Sequence, residues 1–180
     1  IMKFTKKGML AALDALNQEA ETSETTLELC IYGGAAFLLA YDSRAATKDI
    51  DAIIKPKEEG MKLVLKVAKE LGLHENWLND DVKQFIGYRE STRPLTRYAD
   101  WSHLKITVPV VGYLLAMKAL ACRDPLPGYA GDEEDLRFLI KRMGIQSVNE
   151  IQEKVDDYFA DDVLPDKTIR RLQQMIDEVR

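Results

Sequence analysis

The sequence has few of the residues that would assign it directly to a common class of enzyme or metal protein. Its only cysteines, Cys30 and Cys122, lie in apolar stretches and have no partner at metal-ligand spacing. We therefore expect buried thiols in a reducing compartment. The only histidines, His74 and His103, are far apart in the sequence, which argues against a histidine metal site or a nucleophilic dyad.

Long apolar runs and low-complexity regions are also missing. No apolar segment approaches the roughly 20 residues that span a bilayer. The amphipathic N-terminal segment lacks the uninterrupted apolar core of a signal peptide. These absences predict a cytoplasmic protein without membrane contact. Because the formal net charge is −5, a nucleic-acid partner would need a local basic patch.

Patterns typical of strands and helices follow one another along the chain. Strands are predicted at 27–32, 49–55 and 103–110, a loop at 42–48, and a turn or edge strand around Arg93-Pro94. Helices are predicted at 5–20, 35–41, 57–72, 112–123, 132–144, 147–160 and 166–179, and a shorter one at 76–86 with Asn79 as its cap. This succession predicts an α/β (α+β) fold. Residues 1–108 would form the α/β core, and residues 109–180 a helical part packed on it in one compact unit.

Two acids in one predicted strand are the first candidate functional residues. Asp49 and Asp51 are two residues apart, so their side chains would point to the same face, while Ile50 and Ala52 turn towards the core. Neighbouring carboxylates repel each other unless a cation lies between them. Mg²⁺ takes carboxylate and phosphate oxygens as ligands. The alternative is that both acids lie on a solvated strand face.

A pair of glycines and two loop residues accompany these acids. Gly33-Gly34 lie between a predicted strand and a predicted helix, where backbone N–H groups could approach a phosphate closely. Arg44 and Thr47 precede the acids and could hydrogen-bond phosphate oxygens. Taken singly, the glycines also suit a tight turn, and Arg44 and Thr47 suit an ordinary loop.

Together these residues resemble the signature of the nucleotidyltransferase superfamily, a hydrophobic residue followed by Gly-Gly/Ser, a gap, and then Asp-hydrophobic-Asp. The Arg and Thr before the acids resemble the AbiEii-type branch more narrowly. Segments 71–86, 109–123 and 132–145 look like later blocks of AbiEii-like proteins, so the resemblance covers about residues 27–180. The sequence departs from the family signature in two ways. Gly34 stands where many members have Ser, and the gap from Gly34 to Asp49 is slightly longer than in the generic signature.

The resemblance implies a nucleotidyltransferase fold, a small mixed sheet flanked by helices with a C-terminal helical bundle. It assigns the metal to Asp49 and Asp51, and the nucleotide to Gly33, Gly34, Arg44, Thr47 and Arg123. Family enzymes often add a third acid from a neighbouring strand. The predicted strand 103–110 contains no acid, so Asp100 just before it is the candidate.

AbiEii-type enzymes also use a Lys and an Asp from the helical part, which implies catalytic roles for Lys118 and for Asp132 or Asp135. The residues alone leave other interpretations open. Lys118 could extend from an apolar helix to the surface. Asp132 and Asp135 would also be favoured at the start of a helix by its dipole, and Arg123 could be an ordinary charge at a helix end.

The implied activity is transfer of a nucleoside monophosphate from a nucleoside triphosphate to an acceptor hydroxyl, dependent on Mg²⁺ or Mn²⁺. In AbiEii-type toxins the acceptor is often tRNA, and the resemblance thus also suggests a toxin–antitoxin or defence role with a cognate antitoxin protein. Two alternatives stay open. One is a catalytically weak nucleotide-binding module of a toxin–antitoxin system, and the other is a small-molecule (antibiotic-type) nucleotidyltransferase.

Overall fold

A computed structural model describes residues 3–98 and 100–180 of the chain. Its helices are α1 (Lys6–Thr22), α2 (Gly33–Ala40), α3 (Lys57–Leu71), α4 (Val111–Ala121), α5 (Glu133–Met143), α6 (Val148–Tyr158) and α7 (Asp166–Val179). Its strands are β1 (Phe4–Thr5), β2 (Leu27–Tyr32), β3 (Ala46–Thr47), β4 (Ile50–Lys55), β5 (Leu78–Asn79), β6 (Thr92–Pro94) and β7 (Leu104–Pro109). The predicted α/β class is confirmed.

The main sheet has five strands in the order β5-β4-β2-β7-β6. The strand β4 is antiparallel to β2 and parallel to β5, β2 is parallel to β7, and β6 is antiparallel to β7. The sheet is therefore mixed, as expected. A separate two-stranded pair joins β1 to β3.

The chain divides into two compact units. The first extends to Gln84 and includes Thr92–Pro109, and the second comprises Phe85–Ser91 and Val110–Arg180. The first unit contains the sheet with α1, α2 and α3. Its core is formed by alternate strand residues and the apolar faces of these helices, and includes Leu13, Leu16, Leu29, Ile31, Leu38, Ile50, Val64 and Val108.

The second unit contains the four C-terminal helices. The helix α4 packs against α5 and α6, and α5 packs against α7. Its buried apolar side chains include Tyr113, Leu114, Leu115, Leu136, Leu139, Ile140, Val155, Leu172 and Ile176. In α5, α6 and α7 the buried residues are three or four positions apart and share one side of the helix, whereas α4 buries successive residues around its circumference.

Local capping residues begin or end several helices. Gly72 and Gly144 follow α3 and α5 in the left-handed conformation, with φ of 64° and 66°. Thr5 accepts a hydrogen bond from the Gly8 N–H at the start of α1, and Ser147 accepts one from the Glu150 N–H at the start of α6.

Two local predictions were wrong. The loop predicted at 42–48 contains β3, which pairs with β1. The helix predicted at 76–86 is replaced by β5 and a 3₁₀ helix, Asp81–Phe85. In both places a pairing with a distant strand decides the conformation, and local periodicity cannot show such a pairing. The edge strand predicted around Arg93-Pro94 is present as β6.

None of the helices within residues 3–98 and 100–180 has the length and apolarity that crossing a membrane would require.

Candidate functional site

The two predicted metal ligands lie at the start of β4. Ile50 and Ala52 are buried and face the core, whereas Asp49 and Asp51 are partly exposed. This alternation follows from the two-residue period of a strand. The antiparallel register pairs Asp51 with Tyr32, the last residue of β2. The end of β2, where α2 begins, is therefore beside the carboxylates.

Gly33 approaches Asp51 so closely that no side chain fits between them. Its φ is +57°, in the left-handed region that favours glycine. A Cβ atom at Gly33 would lie 2.8 Å from Asp51 Oδ2. The absence of a side chain thus keeps open the space in front of this carboxylate oxygen, next to the first turn of α2.

Gly34 is equally close to the two predicted phosphate-binding residues of the loop. A Cβ atom there would lie 2.6 Å from Thr47 Oγ1 and 3.1 Å from Arg44 Nη1. Among the residues that the structure describes, no side chain caps the N-terminus of α2, and the first turn of this helix contains no acid. The structure therefore brings together all four residues that the resemblance assigns to phosphate in the first unit, at the end of a helix that favours anions.

Asn79 belongs to the same group, although the sequence indicates for it only a helix cap. The parallel pairing of β4 with β5 places Asn79 directly beside Asp51. Its Nδ2 donates a hydrogen bond of 3.4 Å to Asp49 Oδ2, and its Oδ1 accepts one of 3.1 Å from the Asp81 N–H. Asn79 therefore caps a helix as expected, but this helix is the 3₁₀ helix that begins at Asp81. The same side chain also contacts Asp49, a candidate metal ligand.

The surroundings of Asp49 favour a nearby cation. Burial raises the pKa of this carboxyl above its ordinary value, and the negative charge of Asp81 raises it further. Lys48 and the hydrogen bond from Asn79 act in the opposite direction without cancelling the effect. A divalent cation would stabilise the ionised carboxylate, because an opposite charge within a few ångströms favours the charged form.

The residues at the start of β4 fit a magnesium ion with two protein carboxylates. Both donors are oxygen atoms, and the missing Cβ of Gly33 leaves room at Asp51 Oδ2. Within the described part of the chain, no three His, Cys, Asp or Glu residues lie close enough to hold a metal together. The expected third acid is thus not found, and Asp100 is exposed.

The strand β7, from which a third acid is expected, contains none. The strand β7 is separated from β4 by β2, and the neighbours of β4 are β2 and β5. The group next to Asp51 on β5 is the amide of Asn79. A shallow depression of about 490 Å³ shares Asp81 with this region and is also lined by Lys57, Asp80, Lys83 and Gln84. Asp49 and Asp51 do not line this depression.

The predicted catalytic residues of the helical part form a separate group in the second unit. Lys118 is only 6% exposed, and its Nζ lies 2.7 Å from Asp132 Oδ1 and 2.8 Å from Asp135 Oδ2. Asp132 immediately precedes α5, whereas Lys118 is in the last turn of α4. The group therefore joins two consecutive helices across the connecting loop.

Arg123 and Tyr129 complete the hydrogen bonding of Asp132. The Arg123 backbone N–H and Nε donate to Asp132 Oδ2 at 2.8 and 3.0 Å, and the Tyr129 hydroxyl donates to Oδ1 at 3.0 Å. Burial by itself would raise the pKa of Asp132. The hydrogen bonds from Arg123 and the charge of Lys118 outweigh burial and hold the pKa far below its usual range. Asp132 is thus an ionised, fully hydrogen-bonded carboxylate with a clear role in stabilising the loop.

Comparison with known proteins now identifies the family. The model of a family described as "Nucleotidyltransferase of unknown function (DUF6036)" matches residues 9–177. The chain belongs to this family. The matched region includes both Asp49 with Asp51 and the Lys118 group. The nucleotidyltransferase resemblance is confirmed at this level, while the AbiEii-type branch stays a prediction.

One solved structure with a related description is an antigenic nucleotidyltransferase-like protein from Paracoccidioides brasiliensis. It is 13% identical in sequence, and the match covers 87% of this chain and 89% of that chain with a TM-score of 0.48. No curated protein is significantly similar in sequence.

Proposed function

We propose that this protein is a metal-dependent nucleotidyltransferase that moves a nucleoside monophosphate from a nucleoside triphosphate to an acceptor hydroxyl. The observation that carries the proposal is the convergence of Asp49, Asp51, Gly33, Gly34 and Thr47 at the junction of β2, α2 and β4. Family membership supports the reaction class. The grouping of these residues supports it further, because the Asp49 and Asp51 carboxylates lie beside the N-terminus of α2.

Each of these groups has a defined part in the proposed reaction. Asp49 and Asp51 would hold Mg²⁺ or Mn²⁺, which supplies positive charge near the reacting phosphate when bound. The backbone at Gly33 and Gly34, with Arg44 and Thr47, would bind the β- and γ-phosphates. The acceptor oxygen forms a bond to the α-phosphorus, the bond from that phosphorus to the β-phosphate oxygen breaks, and pyrophosphate leaves. The hydroxyl proton passes to solvent.

Positioning and charge account for most of the catalysis in such a reaction, since the protein forms no covalent bond with the substrate. The roles that the resemblance gives to Lys118, Asp132, Asp135 and Arg123 are part of the proposal. Their contacts with one another support a structural role more directly.

We propose RNA, and tRNA in particular, as the acceptor. Phe85 and Tyr88 are 63% and 67% exposed, and the Arg89 guanidinium lies over the Tyr88 ring at 5.9 Å. Exposed aromatic rings with adjacent arginine are typical of surfaces that stack single-stranded bases. Along the chain, residues 83–97 contain Lys83, Arg89, Arg93 and Arg97 against a single acid, Glu90. Arg97 pairs with Asp42, whereas Arg89 is in the same compact unit as the two exposed rings. Arg89 is therefore the basic group that would accompany base stacking.

The fixed backbone of this segment supports the proposed role. The Gly87 N–H donates to the Tyr113 hydroxyl at 2.8 Å, and the Tyr88 N–H donates to the Tyr158 carbonyl at 3.1 Å. The Tyr113 and Tyr158 rings are in contact, with centroids 4.7 Å apart. The backbone is thus held by two tyrosines, while the Phe85 and Tyr88 side chains stay accessible.

We also propose a toxin–antitoxin or defence role of the AbiEii type. The protein partner would be a cognate antitoxin, and the location would be the cytoplasm. It rests on the sequence resemblance alone. The alternatives, a catalytically weak nucleotide-binding module and a small-molecule nucleotidyltransferase, predict different products of the same assay.

The decisive experiment is incubation with each α-³²P-labelled nucleoside triphosphate, Mg²⁺ and total RNA. Wild type is compared with Asp49→Asn/Asp51→Asn, which preserves side-chain shape but removes both charges. Glu28→Gln, an exposed acid on the adjoining β2, is the matched control. We expect label on tRNA with wild type and Glu28→Gln, and a loss of at least about 100-fold with the double variant.

The other outcomes separate the alternatives. Pyrophosphate without labelled RNA would indicate a small-molecule or protein acceptor. Nucleotide binding without pyrophosphate would indicate a binding module. Equal labelling by wild type and the double variant would exclude Asp49 and Asp51 as the metal site.

A further inference from the structure

The amide of Asn79 is held in one orientation by the chain around it. Its Oδ1 accepts the Asp81 backbone N–H at 3.1 Å, so the Nδ2 end points to Asp49 and donates to Oδ2 at 3.4 Å. A carboxamide has one accepting end and one donating end. The backbone contact therefore determines that Asp49 meets a donor.

The sheet places this donor beside both carboxylates. Asn79 is in register with Asp51 across the β4–β5 pair, and its hydrogen bond reaches Asp49, which precedes β4. The two-residue strand β5 is extended by a hydrogen bond from the Ile50 N–H to the Trp77 carbonyl at 2.8 Å. Trp77 is itself buried, and its indole N–H donates to the Val64 carbonyl at 3.0 Å. Asn79 is thus attached to a rigid part of the first unit.

The neutrality of Asn79 has a distinct effect from its position. A carboxylate there would add another oxygen ligand and another negative charge beside Asp49 and Asp51. An amide adds no charge and presents its N–H to Asp49 Oδ2. The site therefore offers two protein carboxylates at this point, which suits a cation that shares its coordination with substrate phosphates.

We propose that Asn79 is a positioning residue that holds the Asp49 carboxylate for the metal ion and, being neutral, limits the affinity of the site for the free ion. This inference rests on the proposed function, because it requires Asp49 and Asp51 to bind the metal. Loss of outer hydrogen-bond partners of metal ligands typically lowers metal affinity about 10- to 100-fold.

The test measures Mn²⁺ binding to the 180-residue chain by electron paramagnetic resonance of the free ion, without nucleotide. The variants are Asn79→Ala, which removes the donor, and Asn79→Asp, which adds a carboxylate. Asn76→Ala, which changes an exposed asparagine in the turn before β5, is the control. Far-UV circular dichroism confirms that each variant is folded, so that a change in Mn²⁺ affinity reports on the site.

We expect Asn79→Ala to bind Mn²⁺ about 10-fold more weakly than wild type. Asn79→Asp should bind more tightly than wild type, and Asn76→Ala should equal it. If Asn79→Ala binds as wild type does, while Asp49→Asn abolishes binding, the inference is wrong and the proposed metal site stands. If Asn79→Asp binds Mn²⁺ as weakly as Asn79→Ala does, the neutral charge of Asn79 does not limit the affinity, and that part of the inference is wrong. Binding that Asp49→Asn/Asp51→Asn leaves unchanged would overturn both the inference and the proposed function.

Discussion

Gly33 and Gly34 are adjacent in the sequence, but glycine is favoured at each position for a different reason. Gly33 has a positive φ and approaches Asp51, so both backbone and space disfavour a side chain. At Gly34 the constraint is space alone, because Thr47 Oγ1 and Arg44 Nη1 occupy the position of a side chain. A side chain at position 34 would thus require Thr47 and Arg44 to move, whereas one at position 33 would also strain the backbone.

Gly33→Ala should reduce both stability and metal binding. The left-handed conformation costs a residue with a Cβ about 1 kcal/mol or more. The new methyl group would lie 2.8 Å from Asp51 Oδ2 and would push this oxygen away. Gly72→Ala is the matched control, since Gly72 has φ of +64° and nothing within 4 Å of the added Cβ. Urea unfolding should show a similar loss for both variants, and Mn²⁺ binding should fall only in Gly33→Ala. Equal Mn²⁺ affinities in the two variants would contradict the role assigned to Gly33.

The sequence allows prediction of only some residues of this site. Asp49, Asp51 and the two glycines are identifiable because their spacing follows from strand and turn geometry within one segment. Asn79 is 28 residues beyond Asp51, and its place depends on the pairing of β4 with β5. No local pattern contains that pairing, so the residue could be predicted only as a cap.

At the scale of elements, α4 and α5 are joined by a buried ionic network. Lys118 is bound by Asp132 and Asp135, and Asp132 also holds the backbone and guanidinium of Arg123. Buried charges are tolerated when their partners are complete, but removal of one partner leaves another charge buried and unpaired. The network therefore fixes how the chain turns from α4 into α5.

Lys118→Ala should destabilise the protein by about 3 kcal/mol, because two buried carboxylates lose their common cation. Lys141→Ala, an exposed lysine on α5, is the control and should change stability by no more than about 0.5 kcal/mol. Urea unfolding followed by circular dichroism measures both. A folded Lys118→Ala with wild-type stability and no transferase activity would instead support the catalytic role implied by the resemblance.

Acid should weaken this network in a defined direction. The folded-state pKa of Asp132 is lower than the value of about 3.9 for an unfolded chain. The stabilisation is therefore fully present above about pH 4 and is lost as pH falls towards the folded-state pKa. The free energy of unfolding of wild type should fall by up to about 1.4 kcal/mol per pH unit more steeply than that of Asp132→Asn below pH 4. Parallel urea titrations between pH 5 and pH 3 measure the difference, and equal slopes would contradict it.

The longer elements could be predicted from periodicity, and the shortest could not. The helices α1, α3, α5, α6 and α7 have clear apolar faces, and β2, β4 and β7 are apolar runs or alternations bounded by turn residues. The two-residue strands β3 and β5 lack any period of their own. They form because β3 pairs with β1 and β5 pairs with β4, and these pairings depend on the tertiary structure.

For the whole molecule, an overall negative charge and a nucleic-acid acceptor are compatible only if basic residues are concentrated locally. Within the segment 83–97, Arg89 lies over the exposed Tyr88 ring, whereas Arg97 pairs with Asp42. On α5, Arg137 is less available because it pairs with Glu133 and Glu178, whereas Lys141 is exposed. RNA contacts should thus depend on base stacking together with a small number of phosphate contacts.

Phe85→Ala/Tyr88→Ala should raise the KM for RNA at least about 10-fold, since stacking contributes about 1–3 kcal/mol per base. The Mn²⁺ affinity should not change. Leu126→Ala, which removes another exposed apolar side chain of the second unit, is the control and should leave the KM for RNA as in wild type. Labelling of RNA should decline only gradually as the NaCl concentration rises, because the protein neutralises few RNA phosphates. An unchanged KM in the double variant would argue for a different RNA surface.

The close approach of Gly34 and Thr47 has a consequence for the evolution of the family. The two residues share one volume, because a Cβ at position 34 would lie 2.6 Å from Thr47 Oγ1. A serine at position 34 would therefore require the Thr47 hydroxyl to leave its present position. In relatives with serine at position 34, we expect residue 47 to be smaller or to adopt a different rotamer, while the backbone stays in place.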